Sequence, residues 1–253
     1  INVLAQAPDG SIWVGTNQGV AEIRRDGSVR DLGLPLDDVT AIVARADGVW
    51  LGTSHGLYRI QGDRLDEFGP GRGLPPNGVA ALASDADGRL VVLYRDGTVL
   101  RVHSDRAVEP FEHVREDLGI GRGVLVAGDG RVWVARAQGL VVYRGTRIDA
   151  IERTGDGLPD AMLAGLAEGP DGVVWLGSRA GLISIVGDVI EVVGPDQGLP
   201  MPALNTVLVD RDGLVWAGGF GGLVTFHGRA FVNYTSDDGL ADDNVRPVIR
   251  ARD

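Results

Sequence analysis

Asp9-Gly10-Ser11-Ile12-Trp13-Val14-Gly15-Thr16 decides the fold, because the chain repeats it in recognisable form six times. Asp-Gly pairs begin at Asp9, Asp47, Asp87, Asp129, Asp171 and Asp212, with spacings of 38, 40, 42, 42 and 41 residues. All five tryptophans, Trp13, Trp50, Trp133, Trp175 and Trp216, fall just after the pair, at the fourth residue from the Asp except for Trp50 at the third, and the third copy has Val91 there. A fixed period of about 40 residues is the mark of a repeat architecture, so it takes precedence over any local reading.

Working outward, a second motif precedes most later copies. It reads Gly33-Leu34-Pro35, Gly73-Leu74-Pro75, Gly157-Leu158-Pro159 and Gly198-Leu199-Pro200, with a terminal variant Gly239-Leu240-Ala241. A short apolar run such as Val39-Thr40-Ala41-Ile42-Val43-Ala44 joins the two motifs. After the Trp comes a Gly turn, a third run such as Gly56-Leu57-Tyr58-Arg59-Ile60, and a weaker fourth such as Val189-Ile190-Glu191-Val192-Val193. Each unit therefore holds four strand-like segments separated by Gly, Pro and Asp turns, with no sustained helical period.

Four strands in about 41 residues, repeated without helices, predict an all-β chain of four-stranded β-propeller blades. There are six complete repeats plus one extra inner strand, Asn244-Val245-Arg246-Pro247-Val248-Ile249-Arg250. A β-helix would have shorter coils, a leucine-rich repeat a Leu/Asn ladder, and a sandwich no sixfold repetition. The whole of 1–253 reads as one array, either a six-bladed ring with a redundant strand or a segment of a longer propeller. An open ring would favour self-association.

The recurring residues are read first as scaffold. Asp-Gly suits a tight hairpin, since Gly accepts a positive φ, and the tryptophans are expected to pack between neighbouring blades.

Composition narrows the function. Of 253 residues 39 are Gly, roughly twice the usual share, while 44% are hydrophobic and none is Cys, which excludes collagen, disorder, disulfide frameworks and thiol chemistry. The net charge is −11 and every cation is Arg, so a nucleic-acid partner is not expected. No apolar run reaches the roughly 18 residues of a membrane span, and the first residues lack a signal peptide's basic and apolar regions, so no membrane insertion by this chain is expected.

Carrying these residues, the chain resembles the two-component regulator propeller family, whose repeats combine Gly-Leu-Pro, Asp-x-x-Gly-x-x-Trp-x-Gly-Thr and a closing Gly-Leu. Gly198 through Phe226 and Gly157 through Ile185 match best, and the resemblance spans essentially all 253 residues. Copy three departs with Val91-Val92-Leu93-Tyr94, and copy four with Gly119-Ile120-Gly121 and Ala135-Arg136. The resemblance implies a periplasmic or extracytoplasmic sensor region of a bacterial signal-transduction protein such as a hybrid histidine kinase or diguanylate cyclase. The absence of Lys beside abundant Arg, Ala and Gly agrees with a high-GC bacterial source.

Motifs of catalysis are scarce. Asp210-Arg211-Asp212-Gly213 and Asp85-Ala86-Asp87-Gly88 begin like calcium loops but lack the later oxygen ligands, so a hairpin turn is expected and no metal. His55, His103, His113 and His227 form no close ligand pair. No nucleophile elbow, phosphate loop or zinc-protease motif occurs, so no catalytic residue is assigned, no cofactor is expected, and the chain is read as a non-enzyme.

The positions free to vary lie in the loops after the Trp-bearing strands. His55, Arg95, Arg136, Arg179 and Phe220 are the candidate ligand-binding residues, one from each of five repeats. Arg grips carboxylates or hydroxyls in a bidentate fork and Phe stacks on a ring, so an anionic or polyhydroxylated small ligand is the expected partner. The alternative for these residues is an ordinary solvated loop whose arginines pair with nearby Asp. For the chain, the alternatives to a sensing or interaction propeller are a propeller lyase and an excised repeat scaffold. Streptogramin-inactivating lyases share Asp-Gly-x-x-Trp but follow the Trp with Phe-Thr-Glu, where this chain mostly has Gly-Thr, Gly-Ser or Gly-Gly.

Overall fold

The computed structural model describes residues 1–34, 36–103, 107–155, 157–159, 162–201, 203–227 and 230–250. Pro35 of the first Gly-Leu-Pro and the terminal Asp253 lie outside the described residues. The fold is an all-β propeller architecture of six four-stranded antiparallel blades, each with its strands hydrogen-bonded in chain order. Blade 1 comprises β1 (Val3–Gln6), β2 (Ile12–Thr16), β3 (Gly19–Ile23) and β4 (Val29–Asp31). Blade 2 comprises β5 (Val39–Arg45), β6 (Gly48–Thr53), β7 (Gly56–Gln61) and β8 (Arg64–Phe68). Blade 3 comprises β9 (Val79–Ser84), β10 (Leu90–Tyr94), β11 (Val99–Val102) and β12 (Val108–Pro110). Blade 4 comprises β13 (Gly121–Val126), β14 (Arg131–Arg136), β15 (Gly139–Arg144) and β16 (Arg147–Arg153). Blade 5 comprises β17 (Leu163–Glu168), β18 (Val174–Ser178), β19 (Gly181–Val186) and β20 (Val189–Val193). Blade 6 comprises β21 (Leu204–Val209), β22 (Val215–Gly219), β23 (Gly222–His227) and β24 (Ala230–Tyr234). Blades 1–3 fall in one compact unit, Ile1–His113, and blades 4–6 in a second, Val114–Val248.

Each part of the repeated motif has a physical task. Asp9 Oδ1 accepts from the Ser11 amide at 2.9 Å and the Ser11 hydroxyl at 2.8 Å, closing the β1–β2 hairpin. In Asp210-Arg211-Asp212-Gly213 the work moves to the first Asp. Its Oδ1 accepts from the Asp212 and Leu214 amides and its Oδ2 from the Trp216 indole at 2.9 Å. Asp85 likewise accepts from the Arg89 amide at 2.8 Å, so both Asp-x-Asp-Gly stretches are hairpin turns.

The Gly of Trp-x-Gly-Thr marks a close approach between blades. A Cβ on Gly52 would stand 2.5 Å from Val79 Cγ1, the first residue of the next blade's inner strand. The Thr or Ser that follows locks the next turn: Ser178 Oγ donates to the Gly181 carbonyl at 2.9 Å and accepts from the Ala180 amide at 3.1 Å. Gly-Leu-Pro supplies a reversal and an anchor. Gly198, at φ 95°, ends the 3-10 turn Pro195–Gln197 in a left-handed conformation that only Gly adopts cheaply, and Leu199 behind it is buried.

The tryptophans pack against the following blade within each unit. Trp13 clusters with Val39, Ile42 and Leu51, Trp50 with Val79, Leu90 and Val92, and Trp133 with Leu163, Leu176 and Ile183. Trp175 is half-buried against blade 6, its ring 5.7 Å from Phe226. Blade 3 solves the same problem without a Trp. Val91 is fully buried opposite Arg101, whose guanidinium lies 4.8 Å above the Phe111 ring and 3.0 Å from Glu109.

The extra inner strand expected over 244–250 is reduced to its first contacts. Asn244 forms a single bridge with Phe220, and the Val245 amide donates to the Gly219 carbonyl at 3.0 Å. Val245 also takes the place against Gly218 that Val79 takes against Gly52. Two residues on, Pro247 has no amide hydrogen with which to continue a ladder.

Candidate functional site

The inner strands of five blades start irregularly. In blades 2, 3, 4 and 6 a register shift leaves Thr40, Ala80, Arg122 or Asn205 as an extra residue at the start of the inner strand. In blade 5 the shift falls between Leu163 and Leu166. A bulge removes its extra residue from the ladder and re-aims the side chain, which makes these five places suited to carry variable chemistry.

The five residues singled out from sequence have different fates. His55 sits in the exposed turn after β6, its Nδ1 3.1 Å from Ser54 Oγ. Arg95, after β10, lies 3.4 Å from Asp38, so it follows the solvated, Asp-paired alternative. Both belong to the first unit.

Arg136 corrects the reading of it as an accessible loop residue. It is the last residue of β14, in the place that Thr16, Thr53 and Ser178 hold elsewhere, and it is only 6% exposed. Its Nε and Nη2 donate to the Gly119 carbonyl at 2.9 and 2.6 Å. A long cation has replaced the Thr that pins the turn, and it pins a neighbouring loop instead.

Arg179 and Phe220 are brought together. They follow β18 and β22 and line one cavity of about 450 Å³ in the second unit, with Arg122, Met162 and Asn205 across from the turns. Phe220 is 58% exposed, and Arg179 is exposed with no hydrogen-bond or ion-pair partner among the described residues. Arg122 donates from Nη2 to the Met162 sulfur at 2.6 Å, which draws its side chain along the wall. The lining holds two guanidiniums, an amide and an aromatic ring, and no carboxylate among the described residues.

Arg122, Met162 and Asn205 went unnoticed in the sequence. Their common trait is position, just before or within the start of an inner strand, and Arg122 directly follows the degenerate Gly119-Ile120-Gly121. The bulges that set Arg122 and Asn205 apart from their ladders leave no mark in an apolar run.

No family model matches the chain, and no curated protein does. Solved structures do match. Virginiamycin B lyase from Staphylococcus aureus aligns with a TM-score of 0.76 at 14% identity, over 92% of this chain and 83% of the lyase. The extracellular domain of a protein assigned to the hybrid two component systems of B. thetaiotaomicron aligns at 0.76 and 19% identity, over 89% of this chain and 33% of its own. A second such domain from that organism aligns at 0.73 and 17% identity, over 98% of this chain and 42% of its own. These likenesses establish the propeller fold, shared by an enzyme and by extracellular domains of bacterial two-component proteins. This chain spans well under half of each of those two extracellular domains. No helix among the described residues is long and apolar enough to cross a membrane.

Proposed function

We propose that the chain is a non-catalytic ligand-binding propeller, working as part of the extracytoplasmic sensor region of a bacterial signal-transduction protein. The observation that carries this reading is the cavity in blades 4–6. Arg179, without a partner among the described residues, and a largely exposed Phe220 converge there on a volume within the usual range for small-molecule sites. The extracellular two-component domains that share the fold support the sensory context. The lining favours binding over lyase chemistry: guanidiniums and an amide hold a ligand, whereas proton transfer calls for a carboxylate, imidazole or similar group near neutral pKa. The acidic net charge argues against nucleic acid, and the ligand class is anionic or polyhydroxylated.

The test is a thermal-shift and calorimetry screen of the purified chain against organic anions and polyols. A saturable rise in melting temperature, with the ligand recovered chemically unchanged, supports the reading. Catalytic conversion of any bound compound, abolished by a substitution in the cavity, overturns it.

A further inference from the structure

We infer that the groove between the outer strands of blades 4 and 5 binds a guanidinium on an apolar stem, in the place that an arginine of the chain itself fills between blades 1 and 2. This site is separate from the cavity of Arg179 and Phe220 and does not depend on it. The two grooves correspond residue by residue. Between blades 1 and 2, a cavity of about 240 Å³ is lined by Arg30, Leu32, Ile60, Asp63 and Leu65 among others. Between blades 4 and 5, one of about 260 Å³ is lined by Ala150, Glu152, Ile185, Asp188 and Ile190 among others. Strand register matches Ala150 to Arg30: Trp13, Glu22 and Arg30 stand side by side across blade 1, as Trp133, Val142 and Ala150 do across blade 4. Two residues on, Glu152 takes the place of Leu32, and the Gly187-Asp188 turn repeats Gly62-Asp63.

In the first groove Arg30 Nη2 donates to Asp63 Oδ1 at 2.7 Å, from one blade to the next, so cation and carboxylate answer each other. In the second, Ala150 stands for the cation and a carboxylate stands for Leu32. Neither Glu152 nor Asp188 has a hydrogen-bond or ion-pair partner among the described residues. The other charges of that wall are engaged, Asp149 with Arg144 at 3.3 Å and Arg131 with Asp129 at 2.6 Å. A guanidinium offers a fork of donors to carboxylates, and an apolar stem finds its contact on Val142, Ala150, Ile185 and Ile190. Trp133, 4% exposed, lines the same cavity with an indole Nε1 that has no acceptor among the described residues, whereas Trp216 gives its own to Asp210. An oxygen beside the cation, such as an amide carbonyl, would answer that donor.

This chemistry has two sources, an arginine side chain of a peptide or a free guanidino compound. Calorimetric titration of the whole chain with N-acetylarginine amide, N-acetylcitrulline amide and butylguanidine separates them, repeated on Asp188→Asn, Glu152→Leu, Ala150→Arg and Asp63→Asn. Expected is saturable binding of the arginine amide, with the neutral citrulline amide about tenfold weaker or more. Asp188→Asn and Glu152→Leu should each weaken it about fivefold or more, while Asp63→Asn, in the other groove, should stay within about twofold. Ala150→Arg writes the Arg30 cation into blade 4 and should raise the melting temperature while abolishing binding. Butylguanidine binding as tightly as the arginine amide marks a free guanidino compound, and weaker binding marks an arginine side chain with its flanking amides. The inference is overturned by failure of both cations to bind, by equal binding of the citrulline amide, by affinity unchanged in both Asp188→Asn and Glu152→Leu, or by binding retained in a folded Ala150→Arg. Equal losses in Asp63→Asn and Asp188→Asn overturn it too. Any of these leaves the reading of the Arg179 cavity untouched. Where Ala150→Arg does not fold, Asp188→Asn, on an exposed turn, carries the test.

Discussion

The guanidinium of Arg136 and the carbonyl of Gly119, 17 residues apart, are joined by two hydrogen bonds, and this pair takes the place of the Thr-to-turn bond found in blades 1 and 2. Truncation leaves a carbonyl short of its partner and a hole where a nearly buried side chain stood. Arg136→Ala is therefore expected to lose about 1–3 kcal/mol of stability. Arg179→Ala, altering an exposed side chain with no partner among the described residues, is expected to stay within about 0.5 kcal/mol of the parent. Urea denaturation of the two variants tests the contrast, and equal midpoints would refute it.

Gly52→Ala should destabilise by about 1–3 kcal/mol although its backbone is unstrained, because the new methyl would press on Val79. Combining it with Val79→Ala should recover part of the loss. A double-mutant cycle with no coupling would show that the two blades do not meet as described.

Trp133→Ala should cost about 3–5 kcal/mol, since the ring is 4% exposed and is covered by Leu163, Leu176 and Ile183 of blade 5. Trp175→Ala should cost less because its ring is only half-buried, but still more than Arg24→Ala, whose side chain reaches Glu22 across an exposed 3.5 Å. Chemical denaturation should rank the three in that order.

Acid should weaken the fold. The Ser11 amide and hydroxyl hold the Asp9 carboxyl below its ordinary range, Arg101 does the same for Glu109, and Arg153 for Glu116. A carboxyl whose folded pKa is depressed stabilises the fold fully above the unfolded value, near 4, and loses that contribution as pH falls through the folded value. Melting temperature should thus be flat near neutrality and drop below about pH 4. In Glu116→Gln that drop should be shallower, and an identical acid limb in the variant would contradict the assignment.

The blades were legible because every repeat meets the same constraint with nearly the same residues. Trp13, Gly15 and Gly10 recur as side-chain cover, close approach and hairpin pivot, and period alone exposes them. The site was half legible. Arg179 and Phe220 follow a Gly-Ser and a Gly-Gly, so counting from the motif puts them in the turns that line the cavity, whereas Arg136 stands in the motif's own Thr position and is consequently buried. Arg122 and Asn205 were hidden because a strand's alternation says which face a residue takes only while the register is unbroken.

The broken register has an evolutionary meaning. Thr40, Ala80, Arg122 and Asn205 each stand as the odd residue of a bulge, outside the paired positions of the ladder. A mutation at such a place changes what its blade displays without asking the sheet to re-pair. Each of these four blades thereby holds a slot that drift can rewrite on its own, so what such a propeller displays can change by successive single steps while the Trp, Gly and Asp positions answer to the separate demands of folding.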